Sequence, residues 1–238
     1  MHGSVPRANS DGPPVRMPAG RCPYYVKIPT RDVILDGDLT LVADSSGLVV
    51  FAHGSGSSRH SPRNRYVAGI LHETGLSTLL FDLLTLDEER AEWLTAHLRF
   101  DISLLAGRLI AVLDWLRTDP RLARLHVGCF GASTGAAAAL VAAAQRPEEV
   151  GAIVSRGGRP DLAGDALAAV RAPTLLIVGG RDETVVELNR EAMARMSAPV
   201  RLEIVPGGTH LFEEPGTLEQ VAALAARWFQ EYLGTIGR

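Results

Sequence analysis

The chain has 238 residues and a mass of 25.4 kDa, the size of one domain with a sizeable core. Hydrophobic residues make up 46% and charged residues 21%, close to the averages for soluble globular proteins. A net charge of −3 and a pI near 6.2 speak against nucleic acid as a partner, which calls for a basic surface. No segment approaches the roughly 20 apolar residues needed to span a bilayer, and residues 1–20 contain no apolar core of a signal peptide. The expectation is a cytoplasmic protein with no membrane partner.

Lys27 is the sole lysine beside 23 arginines, so no lysine outside the N-terminal region is available as a Schiff-base nucleophile. Cys22 and Cys129 are too far apart for a disulfide framework or a metal-ligand spacing, and neither metal nor cofactor is expected.

Residues 1–20 contain almost nothing able to pack and read as a disordered tail, leaving 21–238 as one domain. "YYVKI" (24–28) and "DVILDGDLTLVA" (32–43) read as an antiparallel hairpin or short strands, with Asp36-Gly37 as the turn signal. "LVVFA" (48–52) is a buried strand, 65–73 a helix, and "STLLF" (77–81) a second buried strand. Residues 82–100 leave room for a small insertion over a site, too short for a full lid domain.

From Ile102 apolar residues recur at helical spacing as far as Asp119-Pro120. "LHVGCF" (125–130) is strand, 134–145 an alanine-rich helix stopped before Pro147, and "VGAIV" (150–154) strand. A short helix around 162–170, the strand "TLLIVG" (174–179), a helix over 184–196 and the strand "VRLEIV" (200–205) follow. The closing helix opens with Thr217-Leu218-Glu219-Gln220, read as a capping box. Apolar strands alternating with helices predict an α/β domain, its central sheet mostly parallel and covered on both faces.

In such a sheet, ligands sit beyond the carboxyl ends of the strands, so the residues just after each apolar run carry the chemistry. Gly131-Ala132-Ser133-Thr134-Gly135 matches G-x-S-x-G, a sharp strand-to-helix turn that exposes a serine hydroxyl. That hydroxyl needs an imidazole to take its proton, and the imidazole needs a carboxylate to orient it. Gly180-Arg181-Asp182 and Gly207-Gly208-Thr209-His210 follow the next strands but one and two. The order Ser133, Asp182, His210 is that of an α/β-hydrolase. The other six histidines, His2, His53, His60, His72, His97 and His126, precede Ser133 and fit the base position less well. Asp161, Asp165 and the more distant Asp82 compete as the acid, but Asp182 directly follows a buried strand. "HGSGSSRHSPRN" (53–64) follows "LVVFA", where the fold draws one oxyanion donor. The amides of Ser55 and Thr134 are the candidate donors.

Together "HGSGSSRHSPRN", "LLFDLLT", "GASTGAAAAL", "VGGRDETV" and "GGTHLFEEPGTLEQVA" resemble the dienelactone hydrolase family of α/β-hydrolases over roughly residues 24–235. They are most similar to a bacterial branch whose members also occur fused to phosphoribosyltransferase domains. The resemblance implies a hydrolase with Ser133, Asp182 and His210 as triad, Ser55 and Thr134 as oxyanion donors, and a minimal lid. Any such phosphoribosyltransferase partner would have to be a separate chain. True dienelactone hydrolases carry a cysteine nucleophile. Here Ser133 stands in its place and Cys129 lies four residues upstream, inside the strand, which speaks against dienelactone itself as substrate.

The expected activity is cleavage of a small ester, thioester or lactone through an acyl-enzyme. Arg59, His60 and Arg63 near the oxyanion loop and Arg156 and Arg159 in "SRGGRPD" are candidate contacts for an anionic substrate. Against this stands pairing of the same arginines with surface carboxylates. Acyl transfer or perhydrolysis uses the same triad, and a non-catalytic ligand-binding protein on a hydrolase scaffold is the alternative of a different class. Oligomeric state is not legible.

Overall fold

The structure, a computed structural model, describes residues 23–95 and 97–234, the side chains of 92–95 excepted. The tail expected over 1–20 lies outside the described residues, as does Cys22.

The chain opens with β1 (Tyr24–Pro29) and β2 (Ile34–Thr40), paired antiparallel. Their turn is not at Asp36-Gly37. Lys27 stands opposite Asp36 and Val26 opposite Gly37, both within the ladder. The turn lies at residues 30–33, where the Thr30 amide and hydroxyl both donate to the Val33 carbonyl at 2.8 Å. Gly37 serves packing instead, since a β-carbon there would come within 3.1 Å of the Val26 side chain.

The remaining strands are β3 (Gly47–Ala52), β4 (Ser77–Phe81), β5 (His126–Ala132), β6 (Val150–Arg156), β7 (Thr174–Gly179) and β8 (Val200–Val205). The sheet order is β1-β2-β4-β3-β5-β6-β7-β8, and every pair from β4 through β8 is parallel. All six of those strands therefore present their carboxyl ends at one rim.

The helices are α1 (Pro62–Glu73), α2 (Leu86–Thr95), α3 (Ile102–Leu116), α4 (Thr134–Gln145), α5 (Glu183–Ala194) and α6 (Thr217–Leu233). Short 3-10 segments cover Leu98–Phe100 and Pro160–Ala169, the second kinked at Gly164. α1 starts three residues earlier than its apolar pattern suggests, because Ser61 caps the Asn64 amide and Pro62 is preset for the first turn. At α6 the capping-box reading is corrected. Gly216, with φ 81°, is the cap, and Thr217 lies inside the helix, its hydroxyl donating to the Glu214 carbonyl at 2.7 Å.

Side chains alternate across each strand, so β3 feeds both cores. Val50 and Ala52 join α3 and α4 through Leu109, Val112 and Leu140, while Val49 and Phe51 join α1 and α6 through Val67, Leu71 and Phe229. Each such valine, leucine or phenylalanine side chain, removed from water, contributes on the order of 2 kcal/mol. This double cover pins the sheet and leaves its carboxyl rim to loops.

Candidate active site

Ser133 joins β5 to α4 with φ 50° and ψ −121°, a backbone region that costs a non-glycine residue about 1–3 kcal/mol. The flanking glycines are dictated by contact. A β-carbon on Gly131 would lie 2.4 Å from Ala136 Cα, and one on Gly135 would lie 2.2 Å from the Ala52 carbonyl oxygen. Ser133 is also the N-cap of α4, yet its side chain makes no capping bond. Its backbone is held from β6 instead: the Ser133 amide donates to the Arg156 carbonyl at 3.3 Å, and its carbonyl accepts from the Arg159 amide at 3.1 Å.

Two neighbouring loops carry the His and the Asp. Asp182 stands at the N-cap position of α5 after β7, its side chain making no capping bond, and His210 follows β8. Gly179 lets these loops touch, since a β-carbon there would stand 2.4 Å from the Gly208 carbonyl oxygen. The Arg181 amide donates to that same Gly208 oxygen at 2.9 Å. His210 Nδ1 then meets Asp182 Oδ2 at 2.7 Å. A carboxylate only accepts, so Nδ1 carries a proton, and in the neutral ring that leaves the Nε2 lone pair a general base requires. The competing acids are each held by an arginine: Asp82 by Arg59, Asp161 by Arg159 and Asp165 by Arg195. Glu214 fixes the histidine loop by accepting the Thr209 amide at 3.0 Å, a bond that holds its carboxyl below the usual range. The next residue but one after His210, Phe212, is buried with φ 56°.

Residues 156–159 adjoin both groups. Arg156 and Arg159 grip the Ser133 backbone, and a β-carbon on the intervening Gly157 would lie 3.6 Å from His210 Nδ1. Among the described residues, the Ser133 hydroxyl has no hydrogen-bond partner.

The loop after β3 brings Ser55 to Thr134, with their hydroxyls 3.0 Å apart. Neither residue's amide has an acceptor among the described residues. His53 is the contributor that sequence reasoning passed over. It is buried, its Nε2 accepts the Leu83 amide at 3.0 Å, and its Nδ1 therefore donates to the Gly54 carbonyl at 3.0 Å. This fixes the peptide that leads into Ser55, and burial pushes the His53 pKa down so the ring stays neutral. A histidine immediately before the Gly54-Ser55 step was the available signal.

A cavity of about 920 Å³ opens beside these residues, lined among others by Ser55, Thr134, His60, Arg63, Glu89 and Leu211. Burial and the nearby Asp82 raise the Glu89 pKa. Of the residues read as anion contacts, His60 and Arg63 line this cavity. Arg59 does not line it, and its guanidinium is taken up by Asp82 and Asp38. Arg159 is bound in a two-pronged pair to its neighbour Asp161 at 2.8 Å. Both arginines are thus engaged within the protein, because a carboxylate lies within reach of each. Arg156 also lies outside the lining; it is buried and, among the described residues, has no carboxylate partner.

Among the described residues, no group of three His, Cys, Asp or Glu side chains could hold a metal, and no helix is long and apolar enough to cross a membrane. Cys129 is fully buried in the β5 core, and burial pushes its thiol up to about 12.

Comparison with known proteins agrees with this architecture. The chain is 61% identical over 208 residues to a Mycobacterium tuberculosis protein named as a putative phosphoribosyl transferase, covering 87% of this chain but 46% of that one. The chain thus spans just under half the length of that curated relative. A solved structure described as a dienelactone hydrolase from Anabaena variabilis superposes with a TM-score of 0.88 at 56% identity, over 90% of this chain and 99% of the other. Est1E from Butyrivibrio proteoclasticus shares the fold at a TM-score of 0.74 and 17% identity, over 89% and 99% of the two chains. Residues 85–237 match the dienelactone hydrolase family. The chain belongs to that family, and its fold is that of the α/β-hydrolases.

Proposed function

We propose that this protein is a serine hydrolase that cleaves a small ester-type substrate through an acyl-enzyme. Ser133 attacks the carbonyl as His210 Nε2 takes its proton. The amides of Ser55 and Thr134 receive the developing oxyanion, and His210 then protonates the leaving group. Water repeats the sequence and frees the acid. Asp182 holds the imidazole tautomer and stabilises its cation.

The observation that carries this reading is the strained backbone of Ser133. A turn serving only to change chain direction would be met more cheaply by glycine, whereas this one holds an uncapped hydroxyl at the carboxyl rim. The 2.7 Å contact of His210 with Asp182 and the acceptor-free amides of Ser55 and Thr134 support it. That Ser133 and His210 do not hydrogen-bond here accords with catalytic contacts that tighten only around substrate. Cys129 offers no alternative nucleophile, since its thiol faces the core and resists ionisation.

Covalent labelling by a fluorophosphonate probe, together with hydrolysis of p-nitrophenyl esters, tests the proposal. Both are expected in the wild-type protein and lost in Ser133→Ala. Full ester hydrolysis by Ser133→Ala overturns it, and a folded wild-type protein inert to the probe favours a binding role. The engaged state of Arg59 and Arg159 moves any recognition of an acidic substrate onto other residues.

A further inference from the structure

One strong cation beside the Ser133 elbow has no task in the hydrolytic scheme. Arg156 ends β6 two residues beyond Val154, so its side chain leaves the sheet on the face of Val154 and Ala152. That face also receives Val67 of α1 and Phe212 of the histidine loop. Arg156 is only 7% exposed, and its Nε and Nη1 are buried without a hydrogen-bond partner among the described residues. Burial, with the like charge of nearby Arg63, lowers it to about 10, which still leaves it protonated at neutral pH. A buried charge is ordinarily paired, because desolvation is costly without compensation.

The neighbouring cation is similarly under-used. Arg63 lies in the first turn of α1, a 12-residue helix, and lines the cavity. Among the described residues its Nε is buried without a partner, and its one ion pair, 3.2 Å from Nη1, is to the exposed Glu213. Its amide, one of the unsatisfied donors at the helix N-terminus, has no acceptor among the described residues.

We propose that Arg156, Arg63 and the N-terminus of α1 form a subsite for a phosphate-type oxyanion carried by the substrate. The assignment rests on the hydrolase reading only in giving the oxyanion to the substrate. Two guanidinium groups from different elements, near enough for their charges to interact, and a helix amide together supply more donors than one arginine fork. A tetrahedral oxyanion with three terminal oxygens can accept from all of them, whereas a planar carboxylate is satisfied by a single arginine fork. Among the described residues the one ion pair made by either arginine is that of Arg63 with the exposed Glu213. Glu213 occupies Arg63 when the subsite is empty and swings to solvent when it fills.

The test is calorimetric titration of the Ser133→Ala protein with inorganic phosphate and, separately, acetate, at low ionic strength. One phosphate is expected to bind, about tenfold or more tighter than acetate, and Arg63→Gln is expected to weaken it by about tenfold or more. Arg156→Gln should do the same. If that variant fails to fold, the partly exposed Arg63 still decides the matter. Absence of phosphate binding, equal binding of acetate, or binding unchanged in Arg63→Gln overturns the proposal. In the wild-type protein phosphate should inhibit hydrolysis of a neutral ester competitively, and binding without inhibition would remove the anion from the substrate site. The titration needs no turnover. A protein that binds phosphate this way yet hydrolyses no ester loses the hydrolase reading and keeps the oxyanion site.

Discussion

A β-carbon on Gly135 would stand 2.2 Å from the carbonyl oxygen of Ala52, so the first turn of α4 rests directly on the end of β3. Backbone cannot rotate out of the way as a side chain can. Gly135→Ala should destabilise the protein by about 3 kcal/mol, seen as a melting temperature lower by about 6–12 °C. An unchanged melting temperature would show that α4 can slide off β3.

Ser133→Gly should act in the opposite sense. Glycine adopts a φ of 50° without strain, and relief of that strain exceeds the added freedom of the unfolded chain. A gain of about 1 kcal/mol, or about 2–4 °C, is expected together with loss of ester hydrolysis. A variant that melts lower than the wild type contradicts the strain argument.

Asp182→Asn keeps the size of the side chain but can present an N–H to His210 Nδ1, favouring the tautomer that lacks a free Nε2. The proposed mechanism then requires kcat to fall by about 10⁴ with little change in melting temperature. A fall of less than about tenfold would mean the 2.7 Å contact serves structure alone.

His53 gives the fold a pH dependence with a definite sign. Burial depresses its folded pKa below the ordinary 6.5, so the unfolded chain binds the extra proton first. Stability from this residue is complete above about 6.5 and is lost as pH falls below it. Melting temperature should decline between about pH 7.5 and 5.5, and His53→Gln should flatten that decline. Equal slopes in the two proteins would falsify the assignment.

Arg59 illustrates a charge whose role is support. Its guanidinium binds Asp82, its amide donates to Asp82 at 2.7 Å, and Asp82 is itself buried. Arg59→Ala leaves that carboxylate uncompensated and should cost about 3 kcal/mol, measured by chemical denaturation. A cost near zero would return Arg59 to the surface charges that contribute little.

Local signals in the sequence were enough to place the parallel strands and most helices. Each buried strand is a continuous apolar run, and α4 begins and ends where Ser133 and Pro147 require. Failures came where local chemistry was overruled at a distance. Asp36-Gly37 has turn composition, but its cross-strand partners Lys27 and Val26 place it inside the ladder. The role of an arginine depends on which carboxylate the fold brings near. Arg59 and Asp82 are 23 positions apart, and Arg63 and Glu213 are 150 apart, so spacing along the chain could not separate supporting arginines from available ones. The position of His53 before Gly54-Ser55 is legible, but its fixed tautomer is not, because that depends on the Leu83 amide 30 positions away.

The alanines of α4 carry a practical lesson. Ala136 through Ala139 are wholly buried, so the helix that carries the elbow has no slack on any side. Attempts to reshape this protein for new acyl groups should leave that helix untouched and diversify residues 84–100 instead. Within that stretch Leu84, Glu89 and Arg99 line the cavity, and none of them belongs to the helix that carries the nucleophile.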